Sequence, residues 1–313
     1  MNARLGRGMR MLLPVLTAFA LTLAAVAASA EPDRPSSVRA PRAASAVGQA
    51  SVTACNPKAS SLRPSGPLQV TPGSFMEKIR ARGYLIAGVD QNTYHFGYFN
   101  PANGQIEGFD IDMIKAVARY IGVTKVEYKA ISDDQRIPDV ENGAVDIVAH
   151  TMTILCDRLK YVDFSSVYFD AGQRVLVLKS SAARSLAALA GQKVCATTGS
   201  DSLARIIAAR AIPVRVPYWT DCLVLLQQGD VAAISTDDTI LDGLKAQDPW
   251  TMLVGSRLSD EPYGLAISKQ HPEFVRFVNA VLEQLRTDGQ WATSYRHWIG
   301  PSAPAPPQPQ YAD

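Results

Sequence analysis

Strand-length apolar runs and helix-length amphipathic segments alternate along this chain, and the alternation runs through twice. In the first round, residues 84–89 (YLIAGV) form an apolar run bounded by Gly83 and Asp90. Residues 109–121 carry Phe109, Ile111, Ile114, Val117 and Ile121 at near-helical spacing. Residues 125–130 then read as a strand, 135–142 as a short helix ended by Gly143, and 145–149 as a buried strand. A short helix over 75–82 precedes the round, and 99–108 reads as a turn centred on Asn103-Gly104. The second round places strands at 192–196, 214–217 and 231–235, with helices at 200–209, 219–228 and 241–246. Alternation of this kind builds a parallel sheet covered by helices. Two rounds of similar size predict two α/β lobes.

Two further runs fall at the seams between the rounds, 174–178 (RVLVL) and 263–268 (YGLAIS). They are expected to be the two strands that cross between lobes. Helices at 273–285 and 290–298 are expected to close back on the first lobe. The predicted organisation is therefore lobe one over 74–177, lobe two over 178–262, and a return to lobe one over 263–300. Two facing lobes set the carboxyl ends of their strands opposite one another, where open α/β sheets bind ligands. Closure about the hinge is the motion such a layout permits.

The ends read differently. Arg4, Arg7 and Arg10 precede an apolar stretch over 12–28, and Ala28-Ser29-Ala30 supplies small residues before Glu31. This is a signal-peptidase pattern, so 1–30 is expected to be an export signal. An uncleaved anchor is the competing reading, since ~17–25 apolar residues can span a bilayer. No cysteine follows the apolar run, so a lipid-anchored form is not supported. Residues 31–73, rich in Pro, Ser, Ala and Arg, are expected to form a flexible arm. Residues 301–313 read as a weakly ordered Pro-rich tail.

Export places the four cysteines, Cys55, Cys156, Cys195 and Cys222, in an oxidising compartment. An even count suggests two disulfides, with three possible connectivities. Cys55–Cys156 and Cys195–Cys222 is the favoured pairing because each pair then stays within one lobe; free buried thiols are the alternative. The spacing does not suit zinc, and neither metal nor cofactor is expected. A net charge of +2, much of it near the N-terminus, gives no reason to expect nucleic acid.

The segments GYLIAGVD, GQIEGFDIDMIKAVARYIGV, GAVDIVAHTMTILCDRLKYVDFSSVYFDAGQRVLV, GQKVCATTGSDSLARI and WTDCLVLLQQGDVAAISTDDTIL carry a resemblance over roughly 74–300. The sequence resembles the polar amino-acid-binding proteins of bacterial ABC transporters, nearest their actinobacterial glutamine/glutamate-binding type, one lineage of which is linked to nutrient sensing. The resemblance implies a periplasmic-binding-protein-like fold and a cleft for a polar or acidic α-amino acid, one ligand per monomer. Delivery to an ABC permease follows, or alternatively reporting to a membrane receptor.

The resemblance also implies roles for particular residues. Arg158, closing Thr151-Met152-Thr153-Ile154-Leu155-Cys156-Asp157, would take the ligand's α-carboxylate. A guanidinium fork meets a carboxylate with two parallel charge-assisted bonds. The competing role is a solvated Arg158 paired with Asp157. Thr151 and Thr153, two apart at a strand end, would direct both hydroxyls one way. Asp237, rather than its neighbour Asp238, would take the ammonium; Asp238 would lead the following helix. Gly199 and Ser200, in Thr198-Gly199-Ser200-Asp201, would offer backbone N–H groups at a helix start.

Asp201 departs from the family pattern, which has a hydroxyl there. It is expected to turn away as a helix cap; otherwise the ligand's orientation or type differs. Leu155 and Ala232 depart with less consequence. Asp90, Asn92, Tyr94, Phe96 and His150 would line the ligand's side chain, Phe96 being equally readable as core and His150 as structural. Arg174 is expected to be solvated near the hinge.

No Gly-x-Ser-x-Gly, phosphate loop or HExxH occurs in the chain. No catalytic set is expected. The remaining enzymatic reading is a dehydratase of cyclic carboxylic acids on the same fold, against which an ammonium partner at Asp237 would argue.

Overall fold

A computed structural model describes residues 55–313. The expected export signal and the arm as far as residue 54 lie outside the described residues. In chain order the elements are α1 (Phe75–Arg82), β1 (Tyr84–Val89), β2 (Asn92–Thr93), β3 (Gly97–Asn100), β4 (Gln105–Glu107), α2 (Phe109–Ile121), β5 (Lys125–Ala130), α3 (Arg136–Glu141) and β6 (Ile147–Ala149). There follow β7 (Val162–Phe164), β8 (Phe169–Ala171), β9 (Gln173–Leu178), β10 (Lys193–Thr197), α4 (Ser202–Ala208), β11 (Ile212–Val216), α5 (Trp219–Gln228), β12 (Ala233–Asp237) and α6 (Asp238–Gln247). The chain ends with β13 (Thr251–Val254), β14 (Glu261–Tyr263), β15 (Ala266–Ser268), α7 (Pro272–Thr287) and α8 (Gln290–Trp298).

The elements build two lobes. Lobe one holds a five-stranded sheet in the order β5-β1-β6-β15-β7, with β5, β1 and β6 parallel and β15 antiparallel to both its neighbours. Lobe two holds the order β11-β10-β12-β9-β13, with β11, β10 and β12 parallel and β9 antiparallel to β12 and β13. In each lobe the ends of the parallel strands point at the other lobe's loops. Each sheet buries a core of its own, around Leu85, Ile114 and Phe274 in lobe one and around Leu176, Ile234 and Leu241 in lobe two.

The crossing strands differ from those expected. Residues 174–178 do not bridge the lobes: they lie within β9, in the interior of lobe two's sheet, with Leu176 opposite Ile234 on one side and Leu253 on the other. Three consecutive apolar side chains, Val175, Leu176 and Val177, need cover on both faces, which a hinge ribbon lacks. The crossing is made by the short antiparallel pair β8 and β14, where Ala171 faces Glu261 and Phe169 faces Tyr263. The run 263–268 is broken in two: Tyr263 ends β14, and after Gly264-Leu265 the chain enters lobe one's sheet as β15. The crossing pair thus spans residues 169–171 on the way into lobe two and 261–263 on the way out.

The arm and the tail also depart from expectation within the described residues. Ser61 is buried; its hydroxyl donates to the Phe164 carbonyl at 2.7 Å, and Asn279 Nδ2 donates to Ser61 Oγ at 2.7 Å and to the Leu62 carbonyl at 2.6 Å. Tyr311 pairs with Ser61 as a parallel bridge, and its hydroxyl donates to Glu283 at 2.5 Å. Asn279 is fully buried in α7 and must find partners inside the protein. Ser61 and Leu62 of the arm and Tyr311 of the tail supply or secure them, so both segments are tied to lobe one at these points.

The two disulfides are Cys55–Cys156 and Cys195–Cys222, the pairing expected. The second lies in the core of lobe two; the first, with Cys55 exposed, fastens the arm two residues before Arg158.

Candidate functional site

Where β6 ends, the chain turns sharply. Thr151 has φ +42°, an outlier for a β-branched residue. Its N–H is held by Asp110 Oδ2 at 2.8 Å, while Tyr168 donates its hydroxyl to Asp110 Oδ1 at 2.6 Å. Asp110 is buried at the start of α2, and burial pushes its carboxyl up to about 6. Because Thr151 lies beyond the strand in a left-handed conformation, the period-two argument does not relate it to Thr153. The Thr151 hydroxyl has no hydrogen-bond partner among the described residues. Thr153 acts through its backbone: it bridges to Tyr263, and its carbonyl accepts from Arg158 Nη1 at 2.7 Å.

Arg158 is only 8 % exposed. It does not pair with Asp157, which takes Lys160 at 2.5 Å instead. Its Nη2 reaches lobe two, 3.4 Å from the Gly199 carbonyl and 3.5 Å from Asp201 Oδ1. Burial first, and then neighbouring Arg136, hold its pKa below the ordinary arginine value; Asp201, Asp133 and Asp237 oppose them.

Arg136 was not anticipated. It opens α3, and its guanidinium bonds the side chain and carbonyl of Asp133 at 2.9 Å each, the His150 carbonyl at 3.2 Å and the Gly199 carbonyl at 3.4 Å. Two buried guanidiniums of lobe one thus meet at one carbonyl of lobe two. The signal available in the sequence was a charged residue just past the carboxyl end of β5.

Across the cleft, Gly199 has φ +84°, and a Cβ there would stand 2.7 Å from Asp134 N, so only glycine permits this approach. The expected cradle of N–H groups is not left wholly free: the Ser200 N–H is already engaged. Thr198 N donates to Val216 O, Ser200 N to Thr197 O, and Ser202 N to Ser200 Oγ. Nor does Asp201 turn away as a cap. It makes no side-chain cap bond; its carboxylate meets Arg158 and, at 3.4 Å, Arg205. Burial opposes its ionisation, but Arg158, a hydrogen bond shared with Glu261 and Arg205 hold its pKa low.

Asp237 ends β12 and is 4 % exposed. Tyr263 of the hinge donates to its Oδ2 at 2.7 Å. Burial, then Asp201 and Glu261, push its carboxyl well above the usual range. Asp238 faces elsewhere, paired with Arg257 at 2.6 Å and bonded to the Gly172 backbone. Of the two neighbours, Asp237 is the one at the cleft. Glu261, fully buried in β14, was also missed; burial and Asp201 raise it to about 7, against Arg205 at 3.0 Å.

The side-chain candidates divide. Asp90 closes a local turn, accepting from Asn92 N at 2.8 Å and Thr93 Oγ1 at 2.5 Å. His150 is buried with Nε2 2.9 Å from the Ile131 carbonyl. Tyr94 lies against lobe two, its carbonyl facing Gly243 of α6, with its ring on His95 and Tyr98. Phe96 is core: 1 % exposed and packed edge-on against Phe109, Phe169 and Tyr263. The aromatic interior of lobe one claims it. Arg174, as expected, stays outside, bonded to the Gly255 carbonyl.

The lobes are shut on one another. The gap left beside Arg136, Thr151, Asp201, Trp219 and Asp237 measures about 10 Å³, far below the size of an amino acid, so a ligand enters only when the lobes part. A larger cavity of about 610 Å³ lies beside Phe169, Tyr295 and the Asp238–Arg257 pair, away from both guanidiniums.

Residues 85–301 match the family of bacterial extracellular solute-binding proteins, family 3. The chain is 37% identical over 226 residues to the ABC transporter glutamine-binding protein GlnH of Bacillus subtilis (strain 168), covering 71% of this chain and 83% of that protein. It is 26% identical over 251 residues to the glutamate/aspartate import solute-binding protein of Salmonella typhimurium (strain LT2), covering 75% and 82%. Among solved structures, an ancestral arginine-binding protein bound to glutamine superposes with a TM-score of 0.67 at 36% identity, covering 70% of this chain and 99% of the other. The ancestral amino acid-binding protein AncCDT-1, a precursor of cyclohexadienyl dehydratase, gives 0.67 at 33%, covering 72% and 100%.

Proposed function

The chain belongs to family 3 of the bacterial extracellular solute-binding proteins, and from that premise we propose that it clamps a free α-amino acid with an acidic or amide side chain between its lobes. The observation that carries the reading is the meeting of two buried guanidiniums, Arg158 and Arg136, at the Gly199 carbonyl, beside a closed gap that Arg136 and the buried Asp237 line. Arg158 takes the α-carboxylate through charge-assisted bonds. Asp237, whose carboxyl is pushed well above the usual range by burial and by the charges of Asp201 and Glu261, takes the ammonium, whose charge favours the ionised carboxylate. Arg136 favours an oxygen-bearing side chain, as in glutamate, aspartate, glutamine or asparagine. A micromolar Kd corresponds to about −8 kcal/mol, within reach of three such contacts after the cost of closing.

The relatives' names, which speak of ABC transport and import, support delivery of the ligand to a membrane permease. A dehydratase role lacks support, because the Asp237 carboxylate suits an ammonium rather than a cyclic carboxylic acid that lacks one. The test is a thermal-shift screen of the twenty amino acids followed by calorimetry. Glutamate, glutamine, aspartate or asparagine should stabilise the protein and bind one to one; stabilisation by none of the twenty refutes the reading.

A further inference from the structure

Trp219 opens α5 with its ring in the core of lobe two, 3 % exposed, yet it borders the cleft beside Arg136, Thr151 and Asp237. Its indole Nε1 is buried with no acceptor among the described residues. An indole N–H can only donate. Leaving it unpaired costs about 1–3 kcal/mol, an expense a binding site recovers when the ligand brings the acceptor. The Thr151 hydroxyl, from the opposite lobe, is likewise unpartnered at the same gap. Its strained backbone is held in place by Asp110. The two residues that carry these groups line one gap from different lobes.

We infer that Trp219 is a specificity-determining residue whose indole N–H donates to the side-chain oxygen of the bound amino acid. The inference rests on the clamp reading above and extends it to selectivity. Trp219 and Arg136 together present donors and no acceptor. A carboxylate or carboxamide side chain satisfies them. An aliphatic side chain leaves the indole N–H unpaired. A lysine or arginine side chain brings only donors, so it leaves the indole N–H unpaired and turns instead to Asp133 or Asp201 at the same gap. Sites built to hydrogen-bond a ligand group reject analogues lacking it far more strongly than apolar pockets reject an extra group. The resulting preference is for acidic or amide side chains over aliphatic ones.

The test is calorimetric titration of the wild-type protein and Trp219→Phe with L-glutamate, L-glutamine and the aliphatic analogue L-norvaline. Phenylalanine keeps most of the packing and removes the donor. The variant should lose roughly ten- to a hundredfold in affinity for whichever of glutamate and glutamine binds. For norvaline it should change less than about threefold, which is under 0.7 kcal/mol. Equal losses for all ligands, or unchanged affinity for glutamate and glutamine, overturn the inference while leaving the clamp intact. A wild-type protein that binds no amino acid overturns the clamp and this inference with it. Should the variant not fold, the Trp219 indole N–H resonance is read in the wild type. It should move downfield on saturation with glutamate or glutamine and not with norvaline, and an unmoved resonance overturns the proposal.

Discussion

Arg158 of lobe one and Asp201 of lobe two face each other across the cleft, Nη2 to Oδ1, at 3.5 Å. The guanidinium assigned to the ligand's carboxylate therefore already has a carboxylate from the protein beside it. Asp201 is no bystander of the helix start: Arg205 also reaches it, at 3.4 Å. A ligand must displace Asp201 from Arg158, or share the guanidinium with it.

Replacing Asp201 removes the competitor. Asp201→Thr should tighten binding of glutamate or glutamine by about tenfold, the size of one charge-assisted contact in partial competition. Titration calorimetry reads the change. A loss of affinity would instead make Asp201 part of the grip on the ammonium.

Arg158→Ala should cost at least about a hundredfold in affinity for every α-amino acid tested, whatever its side chain. Asp201 keeps Arg205 as a partner, so the variant should remain folded by circular dichroism. Undiminished binding would remove the core of the proposed clamp.

Asp237 links binding to protons. Its pKa is raised by burial and by the charges of Asp201 and Glu261, so the free protein carries a proton there over part of the accessible pH range. An ammonium placed against the carboxylate favours the ionised form, and binding then releases the proton. Affinity should rise with pH until the ligand's own amine titrates. The apparent binding enthalpy should differ between buffers of different ionisation enthalpy. Asp237→Asn should bind more weakly and lose that buffer dependence.

Stability should respond to pH in the opposite sense. Burial raises Glu261 from 4.5 to about 7 and Asp110 from 3.8 to about 6. With raised values, the folded protein holds more protons than the unfolded chain between about pH 4 and 7. Their contribution is whole below the unfolded values and is lost as pH rises through 6 and 7. Thermal melts at pH 5 and pH 8 should show a higher midpoint at the lower pH. Glu261→Gln should narrow the difference by raising the midpoint at pH 8.

Gly243 tests closure apart from chemistry. A Cβ there would lie 2.7 Å from the Tyr94 carbonyl of the other lobe, with no contact to the proposed ligand groups. Gly243→Ala should leave the melting temperature nearly unchanged, since alanine favours the helix over glycine, and should weaken binding by opposing closure. Small-angle scattering should show less compaction at saturating ligand than in the wild type.

Much of the architecture was legible along the chain because burial periodicity is a local property. The runs 84–89, 109–121 and 219–228 declare strand or helix through their own apolar spacing, and they recur as β1, α2 and α5. Repetition of the pattern is enough to divide the chain into two lobes. Strands of three residues are too short to show a period, so the hinge pair Phe169–Ala171 and Glu261–Tyr263 carries no local signal, whereas the longer run 174–178 beside it does.

What the sequence by itself determined was therefore the longer strands and helices and their division into two lobes; it favoured Cys195–Cys222 inside one of them without fixing it. Only the tertiary structure decided which polar groups share the cleft. Arg158 and Gly199 lie 41 residues apart, and Arg136 and Gly199 lie 63 apart, yet both guanidiniums end on the same carbonyl. Facing loops of separate sheets are brought together by the hinge, not by neighbouring sequence. In this closed form Asp201 lies on Arg158, and the Trp219 N–H has no partner among the described residues. Phe96 shows the reverse: a loop aromatic that local sequence could place at the ligand is taken instead by the core of lobe one, because Phe109, Phe169 and Tyr263 offer it complete burial.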